Sequence, residues 1–339
     1  MRILIVVPSQ DRISGNWITA SRFQHGLERQ GHQVVLQDSP LRPQKALRRC
    51  LVDFAPDVVL LLHAYRSGSP WLKVAGGLNI PCVVLLTGTD VNQGLDDPAQ
   101  RKVIRTVLDR SAAILVHNPL IAANFSANHP ELSSNLRVLS PGIALGTEPY
   151  DLRTRHTLPS DVTLFLCPAG LRPVKGLLEL LEMFDPFPAQ YAAFILAFCG
   201  PALDAGYSGL MLEAIKRRDW ARYLGTIPPQ AMASAMRGAD VIVNNSHSEG
   251  LSNTLLEAAA IGVPMLARRI PGNASVVSHN RNGLLYDNGT ELLRYALQLT
   301  NPARRRQLVC PDPERYNPNR ELTELSAILQ HAARKGCDH

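Results

Sequence analysis

What this chain of 339 residues lacks narrows its class first. No run approaches ~18 consecutive apolar residues, so the sequence offers no membrane-spanning helix. The opening Met1-Arg2-Ile3-Leu4-Ile5-Val6-Val7 is too short for a secretory signal and has no small-residue cleavage site, so it reads as a first β-strand. The cysteines (Cys50, Cys82, Cys167, Cys199, Cys310, Cys337) are dispersed, with no C-x-x-C pair. That pattern points to reduced thiols in a cytoplasmic protein rather than a disulfide framework. No G-x-G-x-x-G follows the first strand, which argues against a dinucleotide-dependent oxidoreductase. Aromatic residues make up only 6%, and none interleaves with the basic run Arg304-Arg305-Arg306. The excess of 35 Lys+Arg over 29 Asp+Glu therefore lacks the stacking platforms of a nucleic-acid surface, and no nucleic-acid partner is expected. The arginine run reads as a solvated helix face. The remaining charge is open to a phosphate-bearing ligand or to an anionic membrane surface.

What is present is an ordinary globular composition, 45% apolar and 19% charged, with no repeat and no low-complexity tract. Short apolar runs alternate with segments of helical length. Ile3–Val7, Val34–Leu36, Val58–Leu62, Val83–Leu86 and Ile114–Val116 read as strands; Trp17, Ala20, Phe23 and Leu27 recur at helical spacing. The rhythm breaks between Ser140 and Ser160, where Pro141-Gly142, Pro149-Tyr150-Asp151 and Leu158-Pro159-Ser160 suggest an interdomain linker. It then restarts with Val162–Cys167, Phe194–Phe198, Val241–Val243 and Val263–Ala267. Strands buried on both faces between helices imply parallel α/β sheets. The pattern predicts two Rossmann-like domains facing across a cleft: residues 1–145, a linker over 146–160, a second domain over 161–312, and a helical tail over 313–339 that could return to the first domain.

The richest segment for chemistry is Ser246-His247-Ser248-Glu249-Gly250-Leu251-Ser252-Asn253-Thr254-Leu255-Leu256-Glu257-Ala258. It follows one predicted strand and opens an apolar helix. Gly250, Leu251 and the polar Ser252-Asn253-Thr254 place backbone N–H groups at that helix N-terminus, where unpaired amides and the helix dipole favour an anion. Glu249 stands beside this site and Glu257 about two turns deeper. Carboxylates near a phosphate site accept hydrogen bonds from sugar hydroxyls. The plainer reading is a capped helix, with Ser252 or Asn253 as N-cap and two ordinary glutamates.

This segment resembles the E-x7-E signature of retaining glycosyltransferases of GT-B architecture, especially family 4. Glu249-Gly250 and Leu255-Leu256-Glu257-Ala258-Ala259-Ala260-Ile261-Gly262-Val263-Pro264 follow that family's phrase over nearly twenty residues. The resemblance implies that Glu249 contacts the transferred sugar, that the amides around Asn253 and Thr254 hold a diphosphate, and that Glu257 grips the ribose. After Val162–Cys167, the stretch Ala169-Gly170-Leu171-Arg172-Pro173-Val174-Lys175-Gly176 resembles the family's G-R-L-x-x-x-K-G loop, one residue shorter and with the arginine displaced. Arg172 and Lys175 suit diphosphate oxygens and the charge on a departing nucleotide. Leu224-Gly225-Thr226-Ile227-Pro228 resembles the turn that cradles the nucleobase, so Thr226 and Ile227 join the donor set, and Arg269-Ile270-Pro271-Gly272-Asn273 matches the G-G-x-P-E region without its glutamate.

In the first domain, Ser14-Gly15-Asn16-Trp17 stands where the family has a glycine loop approaching donor phosphates, which brings in Gly15 and Asn16. Leu86-Thr87-Gly88-Thr89-Asp90 matches H-G-T-D with Thr87 in place of histidine, leaving Thr89 and Asp90 on the acceptor side and Asp90 as a candidate catalytic carboxylate. His63, Tyr65 and Arg66 end another strand and complete that side. The set G-N-W, H-x-Y-R, T-G-T-D-V-N, G-L-R-x-V-K, S-E-G-x-S and I-P-G-N-A is similar to the glycosyltransferase 1 domain-containing group. A looser likeness is to selenosugar synthases, which join selenophosphate to a UDP-sugar. The resemblance implies a retaining transfer from a nucleoside-diphosphate sugar, UDP first, to an unknown acceptor. No metal or other cofactor is expected, since no D-x-D motif stands at a suitable place and Lys175, Arg172 and helix amides can neutralise the diphosphate. The alternatives are selenosugar-synthase-like or phosphorylase-like transfer to a small anion, and a nucleotide-sugar-binding protein without catalysis.

Overall fold

The computed structural model describes residues 1–8, 15–39, 44–88, 90, 94–187 and 193–337. The chain forms two compact units. Unit 1 comprises Met1–Gly142 and the chain from Asn317 onward; unit 2 is Ile143–Tyr316.

Unit 1 contains strands β1 (Arg2–Pro8), β2 (Gln33–Ser39), β3 (Val58–Leu62), β4 (Cys82–Leu85), β5 (Ser111–Val116) and β6 (Leu136–Val138). Its helices are α1 (Gly15–Arg29), α2 (Lys45–Phe54), α3 (Gly68–Val74), α4 (Pro98–Arg110) and α5 (Pro119–Asn128). The strands pair in parallel in the order β2-β1-β3-β4-β5-β6. Side chains of β1 alternate between two cores: Leu4 and Val6 enter one, and Ile3, Ile5 and Val7 the other. That is why the run contains no polar residue. Helix starts follow local chemistry, since Asp97-Pro98 and Asn118-Pro119 each supply an accepting side chain and a proline that needs no N–H partner.

Unit 2 contains α6 (Leu152–Arg155), β7 (Thr163–Pro168), α7 (Leu177–Phe184), β8 (Phe194–Cys199), α8 (Ala205–Lys216), β9 (Ala221–Tyr223), α9 (Pro229–Arg237) and β10 (Val241–Asn244). It continues with α10 (Asn253–Ile261), β11 (Met265–Arg268), α11 (Pro271–Ala274), β12 (Gly283–Tyr286), α12 (Gly289–Thr300) and α13 (Pro302–Gln307). The parallel order is β12-β11-β10-β7-β8-β9. The strand order reverses between β7 and β10. Ligands of open α/β sheets bind beyond the carboxyl ends of the strands at such a switch point.

Two expectations are corrected. The stretch 146–160, read as a linker, is part of unit 2: Leu152 and Leu158 are buried in its core beside Ile143, and Asp151 caps α6. β11 begins at Met265 rather than Val263, because Gly262 ends α10 in the left-handed region (φ 77°) and Val263-Pro264 complete the turn. The tail forms α14 (Pro318–Cys337), whose Leu322, Leu325, Leu329 and Ala332 share a core with Phe23 and Leu27 of α1. A buried ion pair between Arg22 of α1 and Glu321 of α14 fixes this docking. Burial lowers the Arg22 pKa to about 10.

Among the described residues no helix is long and apolar enough to cross a membrane. The arginine run is engaged within unit 2: Arg305 pairs with Asp240 at 3.0 Å and donates to the Leu299 and Thr300 carbonyls, and Arg304 donates to Asn280. It is not simply a solvated face, since two of its three guanidiniums fasten α13 to its own domain.

Candidate active site

The loops after β7 and β10 meet at the switch point of unit 2. After β7 the chain turns through Arg172 and a 3₁₀ turn, Pro173–Lys175, to Gly176, which is left-handed at φ 59°. A Cβ on Gly176 would come within 2.7 Å of the Asn245 carbonyl, so this close approach requires glycine. Lys175 Nζ forms an ion pair with Glu249 Oε1, and both side chains are mostly buried. Ser246 Oγ donates to the same carboxylate oxygen at 2.8 Å. Gly272 closes the other side: a Cβ there would lie 2.4 Å from the Glu249 carbonyl. Arg172, by contrast, is exposed.

Ser252 is the N-cap of α10, its Oγ accepting from Leu255 N. Asn253 and Thr254 are therefore the first helical residues, and their amides have no carbonyl partner within the helix. Thr254 Oγ1 donates to the Pro168 carbonyl at 3.1 Å, tying this helix start to the end of β7. Gly250 and Leu251 complete the turn, with Leu251 packed on the core. Further along α10, Glu257 Oε2 is enclosed without a hydrogen-bond partner. Burial raises the Glu257 pKa to about 7. A native core rarely leaves a carboxylate oxygen unsatisfied, so this one fits a ligand hydroxyl. The proposed nucleobase turn lies after β9: Gly225 has φ 74°, its carbonyl accepts from Gly200 N, Ile227 is buried and Thr226 exposed.

In unit 1, His63 ends β3 in the left-handed region at φ 80°, a strained position for a non-glycine residue. Its Nδ1 accepts from the Tyr65 and Arg66 amides at 3.2 Å each, and burial lowers its pKa. The imidazole is thus neutral, with its proton on Nε2. Asp90 is fully buried. One oxygen accepts from the Thr87 and Gly88 amides at 3.0 and 2.9 Å, and the other from Ala64 N at 2.9 Å. This corrects its reading as a catalytic carboxylate: three backbone amides hold it away from solvent, and it knits the ends of β3 and β4 together. Tyr65 is half-buried and Arg66 exposed. Thr89 lies outside the described residues. Gly15 and Asn16 form the first turn of α1 rather than a free loop.

Charge is distributed unevenly. Unit 1 carries 18 Lys+Arg against 13 Asp+Glu, and unit 2 carries 17 against 16. Positive charge in unit 2 is therefore local, at residues such as Lys175. Sequence reasoning missed the buried polar residues under this site: Asn244, Asn245, Asn273 and Tyr286. The available signal was the Asn244-Asn245 pair directly after an apolar strand, since buried amides require partners.

Two doubly wound parallel six-stranded sheets flanked by helices match the GT-B fold of solved structures. Residues 151–308 match the family model described as Glycosyl transferases group 1. The chain is similar to Glycosyltransferase 1 domain-containing protein 1 of Xenopus tropicalis, 26% identical over 317 residues and 90% of each chain. Among solved structures it is similar to sucrose-phosphate synthase from Thermosynechococcus elongatus (TM-score 0.83, 17% identity, 98% of each chain). It is also similar to Anabaena Alr3699/HepE in complex with UDP-glucose (TM-score 0.74, 17% identity, 100% of each chain).

Proposed function

We propose that this protein transfers a sugar, with retention of anomeric configuration and without a metal, from a UDP-sugar to an acceptor. The observation that carries the reading is the Lys175–Glu249 pair at the switch point together with the enclosed, unpartnered Glu257 carboxylate on the adjoining helix. Lys175, joined by Arg172, neutralises the diphosphate with the amides of Gly250 to Thr254. Glu249 accepts from hydroxyls of the transferred sugar. Glu257 accepts from the ribose, and the Thr226-Ile227 turn faces the base. The likeness to a protein solved with UDP-glucose supports uracil as that base.

The transfer is a front-side displacement. The bond from the anomeric carbon to the β-phosphate oxygen breaks, and the acceptor oxygen bonds to that carbon on the same face. The acceptor proton passes to the leaving phosphate, whose negative charge Lys175 and the helix amides stabilise. We assign acceptor recognition to the carboxyl end of the unit 1 sheet, with Gly15 and Asn16 on the donor side of that unit. His63, Tyr65 and Arg66 are the acceptor candidates, with Asp90 as a positioning residue. The exposed Arg66 guanidinium beside His63 favours a small anionic acceptor as a second reading. The unpaired cysteines among the described residues support a cytoplasmic setting.

The test is transfer from UDP-sugars to a panel of phosphate, selenophosphate and sugar acceptors, with and without a chelator, followed by NMR of the product. An α-linked product from an α-linked donor, formed equally in chelator, is expected. An inverted product overturns retention, and activity lost in chelator and restored by magnesium overturns metal independence.

A further inference from the structure

Two consecutive asparagines end the apolar strand β10 and start the loop beyond it, and both are buried. An amide in such a place needs partners for its donors and acceptor. Consecutive side chains on a strand point to opposite faces, so the two asparagines serve different neighbours. Asn244 Nδ2 donates to Ser252 Oγ at 3.1 Å, and its Oδ1 accepts from Ser246 N at 3.0 Å and from Asn273 Nδ2 at 3.1 Å. Ser246 in turn donates to Glu249, and Ser252 caps α10. Asn245 Oδ1 accepts from the buried Tyr286 hydroxyl at 2.7 Å, while its Nδ2 donates to the Gly176 carbonyl at 2.7 Å.

We propose that this pair is a divided positioning device for the donor. Asn245, braced by Tyr286, sets the phosphate loop through Gly176 and thereby Lys175. Asn244, through Ser246, sets the Glu249 carboxylate. The inference rests on the donor-site reading above. None of these side chains needs to touch the substrate. A buried hydrogen-bonded network restricts the groups it holds, and a displacement of about 1 Å in a charged contact is enough to weaken binding or turnover. The diphosphate and sugar portions of one donor therefore answer to different residues.

Calorimetric titration of the full chain tests this, with UDP, GDP and ADP, their glucose conjugates and the parent nucleosides as probes. Tyr286→Phe removes one hydroxyl and is expected to weaken the preferred nucleoside diphosphate about 10-fold, with the nucleoside unchanged within about twofold. Ser246→Ala is expected to leave the diphosphate unchanged within about twofold. It should erase at least about 5-fold of any difference in affinity between the sugar nucleotide and its diphosphate, and Ser246→Thr, which keeps the hydroxyl, restores it. Should Tyr286→Phe fail to fold, Asn245→Asp makes the same test, since it keeps the acceptor for Tyr286 and loses the donor to Gly176. Parallel losses for every ligand in both variants, or no loss in either, overturn the division. A wild-type protein that binds none of the nucleotides overturns the donor-site reading and this inference with it.

Discussion

Replacing Glu257 by glutamine is expected to stabilise the ligand-free protein above pH 7 and to weaken its hold on a nucleotide. The carboxylate is enclosed, its Oε2 has no partner, and burial raises its pKa from an ordinary 4.5 to about 7. Because the folded value lies above the unfolded one, the acid form favours folding. That contribution is fully present below pH 4.5 and is lost as pH rises through about 7. The difference corresponds to about 3 kcal/mol once the carboxyl is fully ionised. Glutamine avoids this cost at the expense of an unsatisfied amide worth about 1 kcal/mol, leaving a net gain of about 2 kcal/mol. In a unit of this size that raises Tm by about 4–8 °C at pH 8, with little difference at pH 4.5. Two hydroxyls donating to an ionised carboxylate bind more strongly than to an amide, so UDP affinity at pH 8 falls about 10-fold or more. Thermal melts at the two pH values, with and without UDP, measure both effects. A variant less stable than wild type at pH 8, binding UDP equally well, would refute the reasoning.

Lys175→Ala and Glu249→Ala should each lower kcat/KM by about 100-fold or more, as expected for groups stabilising charge at the reacting centre. Turnover of the donor within a factor of two of wild type would remove either residue from the mechanism. Gly176→Ala combines a left-handed φ of 59° with a Cβ 2.7 Å from the Asn245 carbonyl. It should lower stability by at least ~1 kcal/mol and weaken UDP binding in parallel, measured by urea melts and calorimetry. Asp90→Ala strips three backbone amides of their acceptor, two of them buried, and should cost about 3 kcal/mol, read as a lower urea midpoint. An unchanged midpoint would show that Asp90 does not knit the strand ends together.

The doubly wound sheets were legible because both faces of their central strands are buried. Runs such as Ile3–Val7 and Val58–Leu62 then contain nothing but apolar residues, and their bounds match or nearly match the strands. The shortest edge strands were not legible: β6 is three residues long and largely exposed, and β9 is equally short. Such segments become strands through a neighbour's hydrogen bonds, not through their own pattern. In the site, local spacing left Ser252 or Asn253 as N-cap, and the fold makes it Ser252; Glu249 and Lys175 were singled out by the family resemblance, and their ion pair is visible only in the folded chain. The role of Asp90 was not legible either, because three amides from two separate loops converge on it only in the folded chain. The same holds for Tyr286, forty-one residues from the asparagine it braces.

The central claim is that the β7–β10 switch point of unit 2 binds a nucleoside diphosphate. A thermal-shift titration with UDP, GDP and ADP tests it most directly, because a ligand that binds only the folded state raises stability by RT ln(1 + [L]/Kd). A saturable rise in Tm is expected with at least one of them, UDP foremost, and its loss in the Lys175→Ala, Glu257→Gln double variant. No shift with any nucleotide, or an equal shift in the double variant, would contradict it.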